Sequence, residues 1–121
     1  MGHEATYGPL TPRQWNEVDP DTGDDFHVRL VTDGPFVVDF SINQWTVDED
    51  GSRQEVWRAD TAEAEVHEHH FQRGRGGRRL NQTKILPADL GGPMQVAVAF
   101  TEYKRTMIEK AAERRRSWLR P

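Results

Sequence analysis

The sequence predicts an α+β fold: an antiparallel β-meander of about five strands with one long C-terminal helix packed on it. Two observations carry that prediction. Between Phe26 and Leu86, apolar residues recur at every second position in short runs separated by Gly- and Asp-rich turns. After Pro93 no Gly or Pro occurs until Pro121, and apolar residues return at helical spacing. A chain of 121 residues suits one small domain.

Taken in order, residues 1–25 are rich in Gly, Pro and Asp and read as a tail or loop. Within them, Thr11-Pro12-Arg13-Gln14 fits a capping box with Pro12 at the first helical position. That predicts a short helix over about residues 12–18, anchored by Trp15. The domain proper spans 26–121. Phe26, Val28 and Leu30 alternate with His27 and Arg29 as a first strand, and Thr32-Asp33-Gly34 turns the chain. Phe36, Val38, Phe40 and Ile42 form the clearest strand, and the pattern continues through Trp45 and Val47. Asp48-Glu49-Asp50-Gly51 reads as a hairpin turn, because Asp and Gly tolerate positive φ. Arg53–Asp60, Val66–Gln72 and Arg78–Leu86 complete the meander, the last two joined by the Gly-rich turn at 73–77.

The segment Pro87–Pro93 ends the sheet. Beyond it, Val96, Phe100, Tyr103, Met107 and Ala111 make a helical stripe widened by Ala97, Ile108 and Ala112. The stripe predicts one helix of roughly 25 residues, about 37 Å long at about 1.5 Å per residue. Such a helix overhangs the sheet or meets a protein partner, and Trp118 and Leu119 near its end are apolar candidates for that contact or for core packing.

Composition excludes several classes. No run of about 18 apolar residues occurs, so no membrane span is expected. The chain has no Cys, which rules out disulfides, thiolate metal sites and thiol nucleophiles. The opening segment MGHEATYGPL has neither a basic region nor an apolar core, so no secretory leader is expected and the expected location is cytoplasmic. The net charge of −4 hides an asymmetry. Residues 1–72 carry 4 Arg against 16 Asp/Glu, a balance of −12, and residues 73–121 carry 12 Lys/Arg against 4 Asp/Glu, a balance of +8. Either the second half binds an anionic partner or the two halves attract each other within the fold.

Chemistry concentrates in RADTAEAEVHEHHF, residues 58–71, which holds three of the five His. On a strand, side chains two apart share a face about 6.5–7 Å apart along the chain. Glu65, His67, His69 and Phe71 therefore line one face, and Val66, Glu68 and His70 the other. A His-x-His pair supplies two ligands for a divalent metal such as zinc if a third ligand converges, from among Glu65, Glu63, Asp60 and His27. The same pair, with Asp60 to orient one ring and Arg58 to hold phosphate, suits metal-free acid–base cleavage of a phosphodiester. The bland alternative is a solvated polar sheet face.

Residues 58–69 also resemble the signature of a family of small toxin-like proteins from bacterial toxin–antitoxin modules and related families of unknown function. Members carry approximately R-Y-D-N/T-A-H-G-x-x-H-x-H on adjacent strands of a small sheet. Arg58, Asp60, Ala62, His67 and His69 stand at matching positions, whereas Glu63 stands where that family has His and Ala64 where it has Gly. The resemblance implies a toxin–antitoxin or phage-defence context. It places His67, His69, Asp60 and Arg58 as catalytic candidates, with Glu63 standing in for the third His.

Two basic stretches complete the inventory. Arg73, Arg75, Arg78 and Arg79 interleave with Gly, a composition that can wrap phosphates or simply keep a hairpin tip soluble. Arg114-Arg115-Arg116, with Lys84, Lys104, Arg105 and Lys110, could form a basic face for nucleic acid, or complement the helix dipole. Two functions remain open from sequence. One is a small toxin-like protein acting on RNA or another phosphate-containing target. The other is a noncatalytic protein-interaction module whose His-rich face is merely polar.

Overall fold

Among the described residues, six strands form one antiparallel sheet in sequence order, and two helices follow them. The computed structural model describes residues 9–62, 65–73 and 79–120. The strands are β1 (Thr11–Val18), β2 (Asp25–Asp33), β3 (Phe36–Val47), β4 (Arg53–Ala62), β5 (Glu65–Phe71) and β6 (Arg79–Pro87). The helices are α1 (Ala88–Thr106) and α2 (Ala111–Leu119). The α+β meander predicted from alternation is present, and its β2–β3 and β3–β4 turns fall at Gly34 and Gly51. Gly34 and Gly51 take φ of 56° and 84°, a region that L side chains rarely adopt.

Alternation sorts the sheet into two faces. Phe26, Val28 and Leu30 of β2, Phe40 and Ile42 of β3, Trp57 and Ala59 of β4 and Val66 of β5 are all buried. Helix α1 packs on β3, β5 and β6, and α2 packs on β4. Phe40 meets Phe100 edge-on at 5.5 Å, and Trp57 meets Tyr103 at 5.7 Å, so the aromatic part of the helical stripe seats on the middle of the sheet.

Two expectations need correction. Residues 11–18 are not a helix in a tail but the edge strand β1, paired with β2 from Thr11↔Thr32 to Val18↔Asp25. Trp15 explains why. In the strand it packs against the core, its Nε1 donates to Glu17 at 2.8 Å, and Glu17 meets Lys104 of α1 at 2.8 Å. These tertiary contacts outweigh a local capping signal. Pro12 is tolerated because an edge strand need not donate on its outer side.

The predicted single long helix is two helices. No Gly or Pro marks the break at 107–110. Thr106 Oγ1 donates back to the Glu102 carbonyl at 3.0 Å, a contact that bends helices. Ala111 N then bonds Ile108 O, three residues back, at 3.2 Å. The bend buries Met107 and Ala111 and redirects α2, so that Trp118 enters the core at 2 % exposure instead of overhanging. Leu119 remains 46 % exposed. Helix α1 also starts earlier than expected and includes Gly91, Gly92 and Pro93; so near the start, Pro93 forfeits a single intrahelical bond. Among the described residues, no helix is long and apolar enough to cross a membrane.

A polar clamp ties the helices to β4 and β5. Glu68 accepts from Trp57 Nε1 and Tyr103 OH, each at 3.0 Å, and lies 3.6 Å from His70 Nε2. His70 first, then the Trp57 and Tyr103 donors, hold the Glu68 carboxyl down to about 2 against the opposing effect of burial. Arg114 lies 3.6 Å above the Trp57 ring, and burial lowers it to about 10 while Glu68 opposes that shift.

Trp118→Ala is expected to cost about 3–5 kcal/mol, read by urea unfolding. A carboxylate whose folded value is depressed stabilises the fold above its ordinary range near 4.5 and loses that contribution as pH falls toward 2. Glu68→Gln should therefore flatten the acid limb of the stability–pH curve between those values, measured by thermal unfolding at each pH.

Candidate functional site

The β4–β5 hairpin brings the sequence-predicted residues together. Its register pairs Asp60 with His67 and Arg58 with His69. Trp57 and Glu68 face the helices, so the alternating residues Arg58, Asp60, His67 and His69 share the face turned away from them.

On that face the ligand atoms of Asp60, His67 and His69 all lie within 4.8 Å of one another. His69 Nε2 is 3.2 Å from Asp60 Oδ1, and the two imidazole rings meet edge-on at 5.8 Å. His67 and His69 are 4 % and 1 % exposed. The Asp60 side chain keeps 13 % of its surface. Two imidazoles and one carboxylate are a good donor set for zinc and similar ions. Ligands of one tetrahedral ion stand roughly 3.4 Å apart when bonds are about 2.1 Å. The His69–Asp60 pair already has that spacing. No fourth His, Asp or Glu joins the group among the described residues. Catalytic zinc sites use three protein ligands and keep one position for water or substrate.

Arg58 borders the group. Its Nε and NH2 donate to both carboxylate oxygens of Glu55 at 2.9 and 2.8 Å, and its NH1 lies 3.7 Å from Asp60 Oδ2. The guanidinium also lies 5.8 Å from the centre of the Phe71 ring. The Glu55 hydrogen bonds, helped by Asp60 and opposed by burial, hold the Arg58 pKa above its ordinary value. Glu55 is 5 % exposed and accepts a further bond from Asn43 Nδ2, and Asn43 is the register partner of Arg58 on β3.

Strand period pointed to His67 and His69, with Asp60 and Arg58 as candidate partners, but Glu55 and Asn43 were missed. Three residues apart on a regular strand, Glu55 and Arg58 would face opposite sides. The β3–β4 pairing steps from Gln44↔Trp57 to Trp45↔Glu55, which leaves Val56 as an extra residue. That bulge restores Glu55 to the Arg58 face.

Of the remaining candidates whose side chains are described, His27 and Arg73 stand apart from this group. His27 is on β2 and bonds Asn16 at 3.3 Å. Glu65 is on β5, opposite Pro87. Glu63, Arg75 and Arg78 lie outside the described residues. Arg79 opens β6, opposite Phe71. Arg73 bonds both oxygens of Asp48 from Nε at 2.9 and 3.0 Å and lies 3.6 Å from Glu49, so it is engaged by the protein's own carboxylates. The charge asymmetry of the sequence is likewise met partly inside the fold. Lys104 pairs with Glu17, Arg73 with Asp48, and Arg115 stands 4.0 Å from Asp24.

Arg58→Ala should cost about 2–3 kcal/mol in urea unfolding, because it leaves the buried Glu55 carboxylate with Asn43 but no counter-charge. No protein-family model, no curated protein and no solved structure matches this chain, so the resemblance at residues 58–69 stands on those residues alone.

Proposed function

We propose that this chain is a small metal-dependent hydrolase of the toxin-like kind, with Asp60, His67 and His69 holding a divalent ion such as zinc. The observation that supports it is the convergence of those three ligand atoms within 4.8 Å. A bound ion of this type lowers the pKa of its water to about 7 and so supplies a nucleophile at neutral pH. The target class is a phosphate ester, RNA included, approaching over Arg58, whose side chain is 35 % exposed beside Asp60 and keeps one terminal nitrogen outside its two-point contact with Glu55.

Burial favours this chemistry over metal-free acid–base cleavage. The latter needs both imidazoles to touch the target, and they are 4 % and 1 % exposed. An ion and its water are small enough to act there, with the more open Asp60 edge as the approach. The same burial supports a second reading, a noncatalytic interaction module in which the His–Asp group is a satisfied polar network or a structural ion site.

Free Zn²⁺ at about 100 times its dissociation constant should stabilise the fold by about 2.7 kcal/mol, read by thermal unfolding, and His67→Ala/His69→Ala should remove that gain. Zinc-loaded protein should hydrolyse labelled RNA or bis(p-nitrophenyl) phosphate, and Asp60→Asn should reduce the rate to background. Hydrolysis that survives Asp60→Asn counts against the proposed centre. Tight zinc binding without turnover on either substrate favours the interaction module.

A further inference from the structure

We infer that Glu55 is a positioning residue of this centre: placed by the bulge at Val56, it holds Arg58 off Asp60 and leaves the Asp60 carboxylate to the ion. The inference rests on the metal-site reading above and concerns how that site is kept competent.

Asp60 faces two rivals. A divalent ion and the Arg58 guanidinium both seek its carboxylate, and an Arg–carboxylate pair is among the stronger hydrogen-bonded contacts a protein makes. Arg58 and Asp60 sit two apart on β4 and share a face. Left alone, the guanidinium would close on Asp60. Glu55 prevents this by taking the Nε and NH2 edge of Arg58 in a two-point contact at 2.9 and 2.8 Å. The remaining nitrogen, NH1, stops 3.7 Å from Asp60 Oδ2, beyond hydrogen-bond range. Asp60 Oδ1 stays on His69 at 3.2 Å. Asn43 Nδ2 fixes Glu55 in turn, so the relay runs Asn43, Glu55, Arg58, Asp60 across two strands.

The geometry of the strand supports a dedicated role. A buried carboxylate is costly unless paired, and here the bulge is what brings it to its partner. Bulges re-aim side chains next to functional sites. Outer partners of metal ligands typically change affinity by 10–100-fold when removed.

The test is zinc affinity, measured by competition with a chromophoric chelator, together with the visible spectrum of the Co²⁺-loaded protein. In Glu55→Gln, Arg58 is released onto Asp60, so affinity should fall by about 10-fold or more and the cobalt spectrum should change. In Glu55→Gln/Arg58→Gln the rival is gone, and affinity should return to near wild type. A purely structural role for Glu55 predicts no such rescue. Wild-type affinity and spectrum in a folded Glu55→Gln protein, or a double variant as weak as the single one, would overturn the inference. If Glu55→Gln does not fold, Asn43→Ser loosens the same relay; it should weaken zinc binding in the same direction, and unchanged binding overturns the inference. If the wild type binds neither ion, the metal reading fails, and a crystal structure of Glu55→Gln decides the positioning alone. Arg58 NH1 moving to about 3 Å from Asp60 upholds it, and NH1 staying at its wild-type separation refutes it.

Discussion

The register of the β4–β5 hairpin is the constraint on which the rest of this molecule depends. Side chains alternate with a period of two, so a slip of one residue would exchange the two faces of β5. It would send His67 and His69 toward the helices and Glu68 away from Trp57 and Tyr103. The Glu68 clamp on the helix side and the Asp60–His69 contact on the other therefore enforce the same alignment. Packing energy on one face fixes the geometry of candidate chemistry on the other.

That coupling explains what could be read from the sequence. Alternation in Phe26–Leu30 and Phe36–Ile42, and Gly at 34 and 51, made the central strands and their turns legible, because period and positive φ are local properties. His67 and His69 were legible for the same reason, since period two puts them on one face; that Asp60, one of four candidate third ligands, lies beside them follows from the β4–β5 register. The helix break was not, because nothing at 107–110 breaks a helix by composition. The bend serves to bury Trp118, which is a demand of tertiary packing. β1 was misread because Pro12 suits a helix start and an edge strand equally. Glu55 was hidden by Val56, whose extra position inverts the parity of everything before it on β4.

The charge split follows a similar logic. A chain with an acidic first half and a basic second half invites an anionic partner. Here Lys104, Arg73 and Arg115 each meet a carboxylate from the other half. The asymmetry then acts partly as a docking instruction within the chain, bringing the helices and the β5–β6 side onto the strands made earlier. Pairs whose Lys or Arg stays about a third exposed, as these do, add little stability individually. Opposite charges on sequence-distant segments still disfavour wrong pairings of those segments.

The join between β5 and α2 has a consequence for how the molecule opens. Just past β5, Arg73 N donates to the Trp118 carbonyl at 3.0 Å, and Gln72 Nε2 donates to the Arg120 carbonyl at 2.6 Å. The strand carrying both imidazoles is thus fastened at its exit to the last turn of the second helix. Backbone amides of the two segments should therefore share one opening free energy in hydrogen exchange, behaving as a single cooperative unit although more than 40 residues separate them in the chain. Lifting α2 from the sheet would also loosen the floor of the His–Asp group.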